Sequence, residues 1–193
     1  MATWPSTAKL SDWRITIDAH SIGGAGRGGG YAFEKGKGAR WLASVDVAPM
    51  VSNDAMTFRA FLHSLRGPTT AFAFALPGAV QAASPATALV ATGALVAGDL
   101  SMIIGTISDA ARVIAGEWVY VGTYPSGQLL QIVSVTGGTT LAFRPALRAG
   151  YSIGAAVTIG NVTAAFRLRG QTPRVPLIPG QSRTMKVELE EAY

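Results

Sequence analysis

The chain has 193 residues, 49% apolar and only 14% charged, against the about 25% charged residues of an ordinary soluble domain. Its net charge is +5 and it contains no cysteine, which removes disulfides, thiol nucleophiles and thiolate metal sites. A surface this short of charge implies either a membrane or burial against other subunits. The long uncharged run 67–98 is broken by Pro68, Pro77 and Pro85, so it lacks the roughly 20 continuous apolar residues of a spanning helix.

The first predicted element, residues 12–19 (DWRITIDA), alternates. Trp13, Ile15 and Ile17 share one face, and Arg14, Thr16 and Asp18 the other, as in a half-buried strand. Residues 21–30 (SIGGAGRGGG) form a glycine-rich stretch. Its Gly24, Gly26 and Gly29 match the G-x-G-x-x-G spacing of dinucleotide loops. The residues after it are strand-like and basic, where a phosphate site would need the N-terminus of a helix, so the stretch reads as a hairpin loop. Glu34, Lys35, Lys37 and Arg40 make the next segment charged, and residues 40–47 (RWLASVDV) alternate again until Pro49.

One helix is predicted, over 52–65. Ser52 or Asn53 is its expected cap, Asp54 sits in the first turn, and Phe58, Phe61, Leu62 and Leu65 form one apolar stripe. Gly67 and Pro68 stop it. Residues 70–76 (TAFAFAL) then form a strand with Phe72, Phe74 and Leu76 on one face.

The composition changes at Ala79 to an uncharged Ala, Pro, Ser and Thr stretch, with a strand expected near 88–91. Short strands come next at 100–107, 117–123, 128–135, 140–143, 154–159 and 162–168, separated by glycine turns; residues 107–114 alternatively form a helical turn. Such spacing predicts a small barrel or sandwich. Beyond Gly170 the earlier style returns, with a short segment at 175–177 and an alternating strand at 182–190. The architecture expected is mainly β: one domain built from 1–78 and 171–193, interrupted by a small β-domain at 79–170.

No catalytic constellation is legible, and no catalytic, cofactor-binding or metal-ligating residue is assigned. His20 and His63 have no ligand spacing between them. Asp12 and Asp18 share the polar face of one strand, but the eleven acids are scattered and read as solvated or ion-paired. Arg144, Arg148, Arg167 and Arg169 read as makers of ion pairs and hydrogen bonds at subunit contacts. The basic residues are dispersed with no aromatic ladder between them, which argues against nucleic-acid recognition.

The run 116–170 nevertheless has an ordered set of features. Gly116 and Glu117 precede an aromatic strand carrying Val121 and Gly122; Pro145, Leu147 and Arg148 form a corner; Gly154 and Val157 open one strand, and Phe166, Arg167 and Leu168 form another. With the Arg40-Trp41 strand, the helix ending in Leu65-Arg66-Gly67, the Phe-rich strand and the terminal strand ending in Glu190, this order resembles the distal tail proteins of long-tailed bacteriophages. The resemblance implies a β-sandwich belt domain with one helix and an inserted barrel of oligosaccharide-binding-like shape. It further implies a hexameric ring at the tail tip in the virion, assembled in the host cytoplasm and joining the tail tube protein to the baseplate hub, with a tail fibre or receptor-binding protein as a further partner. The expected belt core is Trp13, Ile15, Ile17, Trp41, Phe58, Phe61, Phe72 and Phe74, with Arg27, Lys35 and Lys37 at contacts or facing the lumen. The alternative is a host-surface glycan-binding module using Trp118, Tyr120 or Tyr124.

Overall fold

The computed structural model describes residues 2–18, 21–25, 31–35, 39–76, 89–105, 113–159, 162–170 and 184–192. Among the described residues the fold is mainly β, with one α-helix, two six-stranded sheets and a two-stranded hairpin. It divides into two compact units, Met1–Thr16 with Trp41–Gly78 and Thr163–Tyr193, and Ile17–Arg40 with Ala79–Val162.

The first unit holds β1 (Ala2–Thr3), β2 (Leu10–Asp18), β5 (Arg40–Val47), β6 (Phe72–Ala75), β13 (Thr163–Leu168) and β14 (Met185–Glu191), in the order β1-β6-β13-β14-β5-β2. β1 runs parallel to β6, while β6, β13, β14 and β5 pair antiparallel in turn. β5 shows a strict alternation, burying Trp41, Ala43, Val45 and Val47 and leaving the intervening residues half-buried. The pleat carries this pattern into β14, where Met185, Val187 and Leu189 stand opposite Val47, Val45 and Ala43.

α1 (Ser52–Ser64) packs on this sheet through ring contacts with β6. Phe58, Leu62 and Leu65 are buried, and the Phe61 ring meets Phe72 edge-on at 5.4 Å. Trp4, which no local pattern marks, is the centre of this packing. Its ring lies 5.1 Å from Phe58, 6.0 Å from Phe61, 5.9 Å from Phe72 and 5.3 Å from Phe74, and its indole N–H donates to the Ala8 carbonyl at 3.0 Å. Centroid separations of this size, mostly edge-to-face, are the arrangement the aromatic quadrupole favours. The expected side-chain cap is not made: Val51 is the N-cap residue and no side chain caps the helix. The helix stops where Arg66 and then Gly67 turn left-handed, at φ 51° and 70°.

Two further expectations are corrected by the sheet order. Trp13 and Ile15 are only half-buried and Ile17 is 38% exposed, because β2 is an outermost strand of its sheet rather than an interior one. The inserted segment ends at Val162, not Gly170. β13 pairs with β6 on one side and β14 on the other, so it is a central strand of the first sheet.

The second unit contains β7 (Leu89–Val90), β8 (Ser101–Ile103), β9 (Trp118–Val121), β10 (Gln128–Thr136), β11 (Thr140–Arg144) and β12 (Ala156–Ile159), in the order β7-β12-β9-β10-β11-β8. Its two end strands meet. Ala91 bridges Ile104, the Thr92 N–H donates to the Ile103 carbonyl at 2.9 Å, and the Gly105 N–H to the Val90 carbonyl at 3.3 Å. The sheet thereby closes into a small barrel, which removes its free edges. Val119, Val121, Leu130, Ile132, Leu141, Phe143, Val157 and Ile159 fill the interior. At Val133 a bulge in β10 turns a valine outward.

The glycine-rich segment enters an antiparallel hairpin of β3 (Ser21–Ala25) and β4 (Tyr31–Lys35), with Ser21 opposite Lys35 and Ala25 opposite Tyr31. Its tip, the helical alternative at 107–114 over residues 106–112, and the segment at 175–177 lie outside the described residues.

Candidate functional site

Several residues that carry the sequence resemblance, Gly116, Glu117, Gly122, Leu147 and Arg148, sit at turns and corners of the barrel. Gly116 adopts φ +95°, its N–H donates to the Ile132 carbonyl at 2.7 Å, and the Glu117 carboxylate accepts the Ile114 N–H at 3.1 Å. The glycine and acid together close the turn that starts β9. The carboxylate satisfies a backbone donor that the turn leaves over.

The corner 145–148 is held from two sides. Leu147 drops into the barrel core, and its N–H donates to the Asp99 carbonyl at 3.0 Å. From β10, the buried Gln128 side chain donates to the Ala146 carbonyl at 3.0 Å and accepts the Arg148 N–H at 2.8 Å. One amide thus matches both a donor and an acceptor of the loop backbone, as a carboxamide is built to do.

Glycines at 122 and 127 make room for rings. A Cβ on Gly122, which has φ +94°, would lie 2.7 Å from a ring carbon of Tyr151, and one on Gly127 would collide with the Tyr120 ring and the Val121 carbonyl. Trp118 is 5% exposed and Tyr120 4%, while Tyr124 is half-buried with its ring centroid 6.3 Å from that of Tyr120. Burial raises the Tyr124 phenol above its ordinary pKa. Sugar recognition through Trp118 or Tyr120 needs an accessible ring face, which these two side chains do not present.

Phe166–Leu168, the last piece of the pattern, lies in the first sheet. Arg167 stands opposite Glu190 across the β13–β14 ladder, and its Nε donates to the carboxylate at 2.6 Å. This ion pair is made within the chain. On the neighbouring β14–β5 ladder Glu188 accepts from Ser44 at 3.3 Å, and along β14 it pairs with Lys186 at 2.9 Å. Glu191 is 2% exposed and its Oε2 accepts the Trp41 N–H at 3.3 Å, tying the end of β14 to the start of β5. Arg144 is exposed, with its guanidinium donating to the Phe143 carbonyl at 3.0 Å, and Arg169 is exposed at the end of the same sheet as Arg167.

The remaining candidates are not gathered into a site. Asp12 and Asp18 lie six residues apart on one strand, roughly 20 Å at about 3.3 Å per residue, well beyond a glycosidase pair. His63 is exposed on α1 and accepts from Arg59 Nε at 3.4 Å, one turn away. Among the described residues no three His, Asp or Glu side chains are placed to hold a metal ion, and no helix is long and apolar enough to cross a membrane. His20, Arg27 and Lys37 lie outside the described residues, and Lys35 is described by its backbone alone.

Trp4 and Gln128 are the residues that sequence reasoning misses. Gln128 had a usable signal, being an amide at the head of an apolar strand; Trp4 had none beyond being an aromatic residue. Family models and curated proteins were both searched with this chain, and neither search finds a match.

Proposed function

We propose that this chain is a virion structural protein that assembles into a ring, expected to be hexameric, at the distal end of a long bacteriophage tail. There it joins the tail tube to the baseplate hub and offers a site for a tail fibre or receptor-binding protein. The observation that supports this reading best is the split architecture. A sheet assembled from both ends of the chain is interrupted between β6 and β13 by a closed barrel, the organisation that the sequence resemblance implies. The low charge agrees with it, since a surface that neighbouring subunits cover has little need of ionised groups to stay solvated. In this reading the protein is a scaffold and catalyses nothing, and the residues of the pattern build turns, corners and ladders.

The test is electron microscopy of the purified protein, alone and mixed with tail tubes. Six-fold rings that cap one end of the tubes are expected. A protein that stays monomeric at high concentration and leaves the tubes bare overturns the proposal.

A further inference from the structure

We infer that strand β2 is a pairing edge for a second copy of this chain, joined about a two-fold axis near Trp13. Among the described residues nothing pairs with the outer side of this nine-residue strand. Long edge strands are templates for another strand, and proteins ordinarily blunt them with proline, lysine, a bulge or brevity. The sheet's other edge obeys that rule, because β1 has only two residues. β2 carries no proline between Leu10 and Asp18, and its charges, Asp12, Arg14 and Asp18, are of both signs, so they deter a strand of one sign without deterring a complementary one. Its apolar residues are incompletely covered, Trp13 and Ile15 half-buried and Ile17 exposed.

The order of charges selects the occupant. In an antiparallel pair centred on Trp13, Asp12 of each copy stands opposite Arg14 of the other, so two opposite-charge pairs form on the solvent face. On the other face Trp13 meets Trp13 of the second copy, and Ile15 meets Ser11. The same register sets Leu10 opposite Thr16, so seven residues of each strand take part. Centring the pair on Ile15 instead would bring Asp12 against Asp18, which disfavours that register. The Trp13 N–H donates to the Asp12 carboxylate at 2.8 Å in an exposed bond. On pairing, this donor passes to the second copy's Trp13 carbonyl, and the freed carboxylate turns to Arg14. The contact is isologous, so it differs from the heterologous contact that closes a ring. It does not depend on the tail-tip reading.

Sedimentation of the full-length protein over a range of concentrations tests the pairing. The wild-type chain is expected to self-associate. Arg14→Asp, which leaves only acids facing each other, should weaken that association by about tenfold or more. The double exchange Asp12→Arg with Arg14→Asp should restore it to within about threefold. Both positions are exposed, and unchanged circular dichroism confirms that the fold is kept. Because the chain has no cysteine, Trp13→Cys introduces a single thiol. The α-carbons of a hydrogen-bonded antiparallel pair lie about 5.5 Å apart, within the roughly 4.4–6.8 Å of disulfides. Mild oxidation should therefore link this variant as a dimer, and should leave Thr16→Cys unlinked, about 20 Å from its counterpart. A monomeric wild type, an Arg14→Asp variant that associates as wild type does, or failure of the double exchange to restore association overturns the inference. Loss of the two-fold association in Arg14→Asp with six-fold rings kept would support the pairing and leave the ring proposal standing.

Discussion

The two sheets solve the same burial problem in different ways. In the first, β5 alternates strictly between buried and half-buried residues, with α1 and the rings around Trp4 on one face and ladders of charge such as Arg167–Glu190 on the other. In the barrel, all four residues of β9 are buried, and so are the first three of β10. The open sheet needs a separate layer and leaves edges. The barrel supplies its own second layer by closing on itself, and it uses glycines and a glutamine to fit its corners. The open sheet should therefore depend on strands brought from afar, and the barrel on local fit.

The largest expected effect separates these two dependences. β6 and β13 are adjacent antiparallel strands with Ala75 opposite Thr163, so the ends of the inserted segment already lie across one ladder. Deleting 79–162 leaves Leu76-Pro77-Gly78 as a short hairpin loop, and the terminal sheet should still unfold cooperatively in urea. Deleting 79–170 also removes β13 and its buried Phe166, a central strand, and should abolish cooperative unfolding altogether. If both deletions behave alike, the assignment of β13 to the first sheet is wrong.

Next come single substitutions in each core. Phe166→Ala removes a fully buried ring stacked edge-on at 5.6 Å from Phe74 and should cost about 3–5 kcal/mol in chemical denaturation. Gly127→Ala adds one methyl group, yet that methyl collides with the Tyr120 ring and the Val121 carbonyl. It should destabilise the barrel by about 1–3 kcal/mol, the range for overpacking. The open sheet should be insensitive to such a small addition at an exposed position such as Ala75, where Ala75→Val should shift the midpoint little. A comparable loss is expected for Gln128→Ala, which strands the Ala146 carbonyl and the Arg148 N–H. About 1–3 kcal/mol is the cost of leaving such groups unsatisfied where water cannot replace the amide. Gln128→Glu should remain poorer than wild type, because a carboxylate can accept from Arg148 but cannot donate to Ala146.

This contrast also explains what could be read from the chain. Residues 40–47 match β5 in both limits, since an alternating strand over one apolar layer carries its period in its own side chains. The helical stripe is legible for the same reason. Its cap was not, because Ser52 has the right chemistry but the backbone makes Val51 the boundary. The domain limit at 170 failed because alternation in 163–168 is the same whichever sheet receives it; only the distant pairing with Ala75 and Glu190 decides. Trp13, Ile15 and Ile17 likewise show that a strand is half-buried without showing that it lies at an edge. Trp4 comes directly after a two-residue parallel strand, too short for any period. The burial of Trp118 and Tyr120 did have a signal. Four consecutive apolar residues, WVYV, indicate a strand covered on both faces.

The smallest expected effect bears on the open sheet's outer face. The Arg167–Glu190 bond is short, 2.6 Å, but the arginine side chain is 37% exposed and the glutamate 16%. Water and salt screen such a pair, and holding two long side chains in one geometry costs rotamer freedom. Its net contribution should be about 0.2–1 kcal/mol. Arg167→Ala should therefore lower the denaturation midpoint only slightly, and raising the salt concentration should shrink the difference from wild type, since the Debye length falls to about 3 Å at 1 M. A double-mutant cycle with Glu190→Gln isolates the pair from the loss of the arginine stem's packing. A coupling well above about 1 kcal/mol, unmoved by salt, would mean that this face is more shielded from water than a solvated ladder. In an assembled protein that is the expected difference: the coupling should be small in the free chain and should rise when a neighbouring subunit covers the face. Measuring the same cycle in free and assembled protein therefore tests whether the charged side of the open sheet is a contact surface.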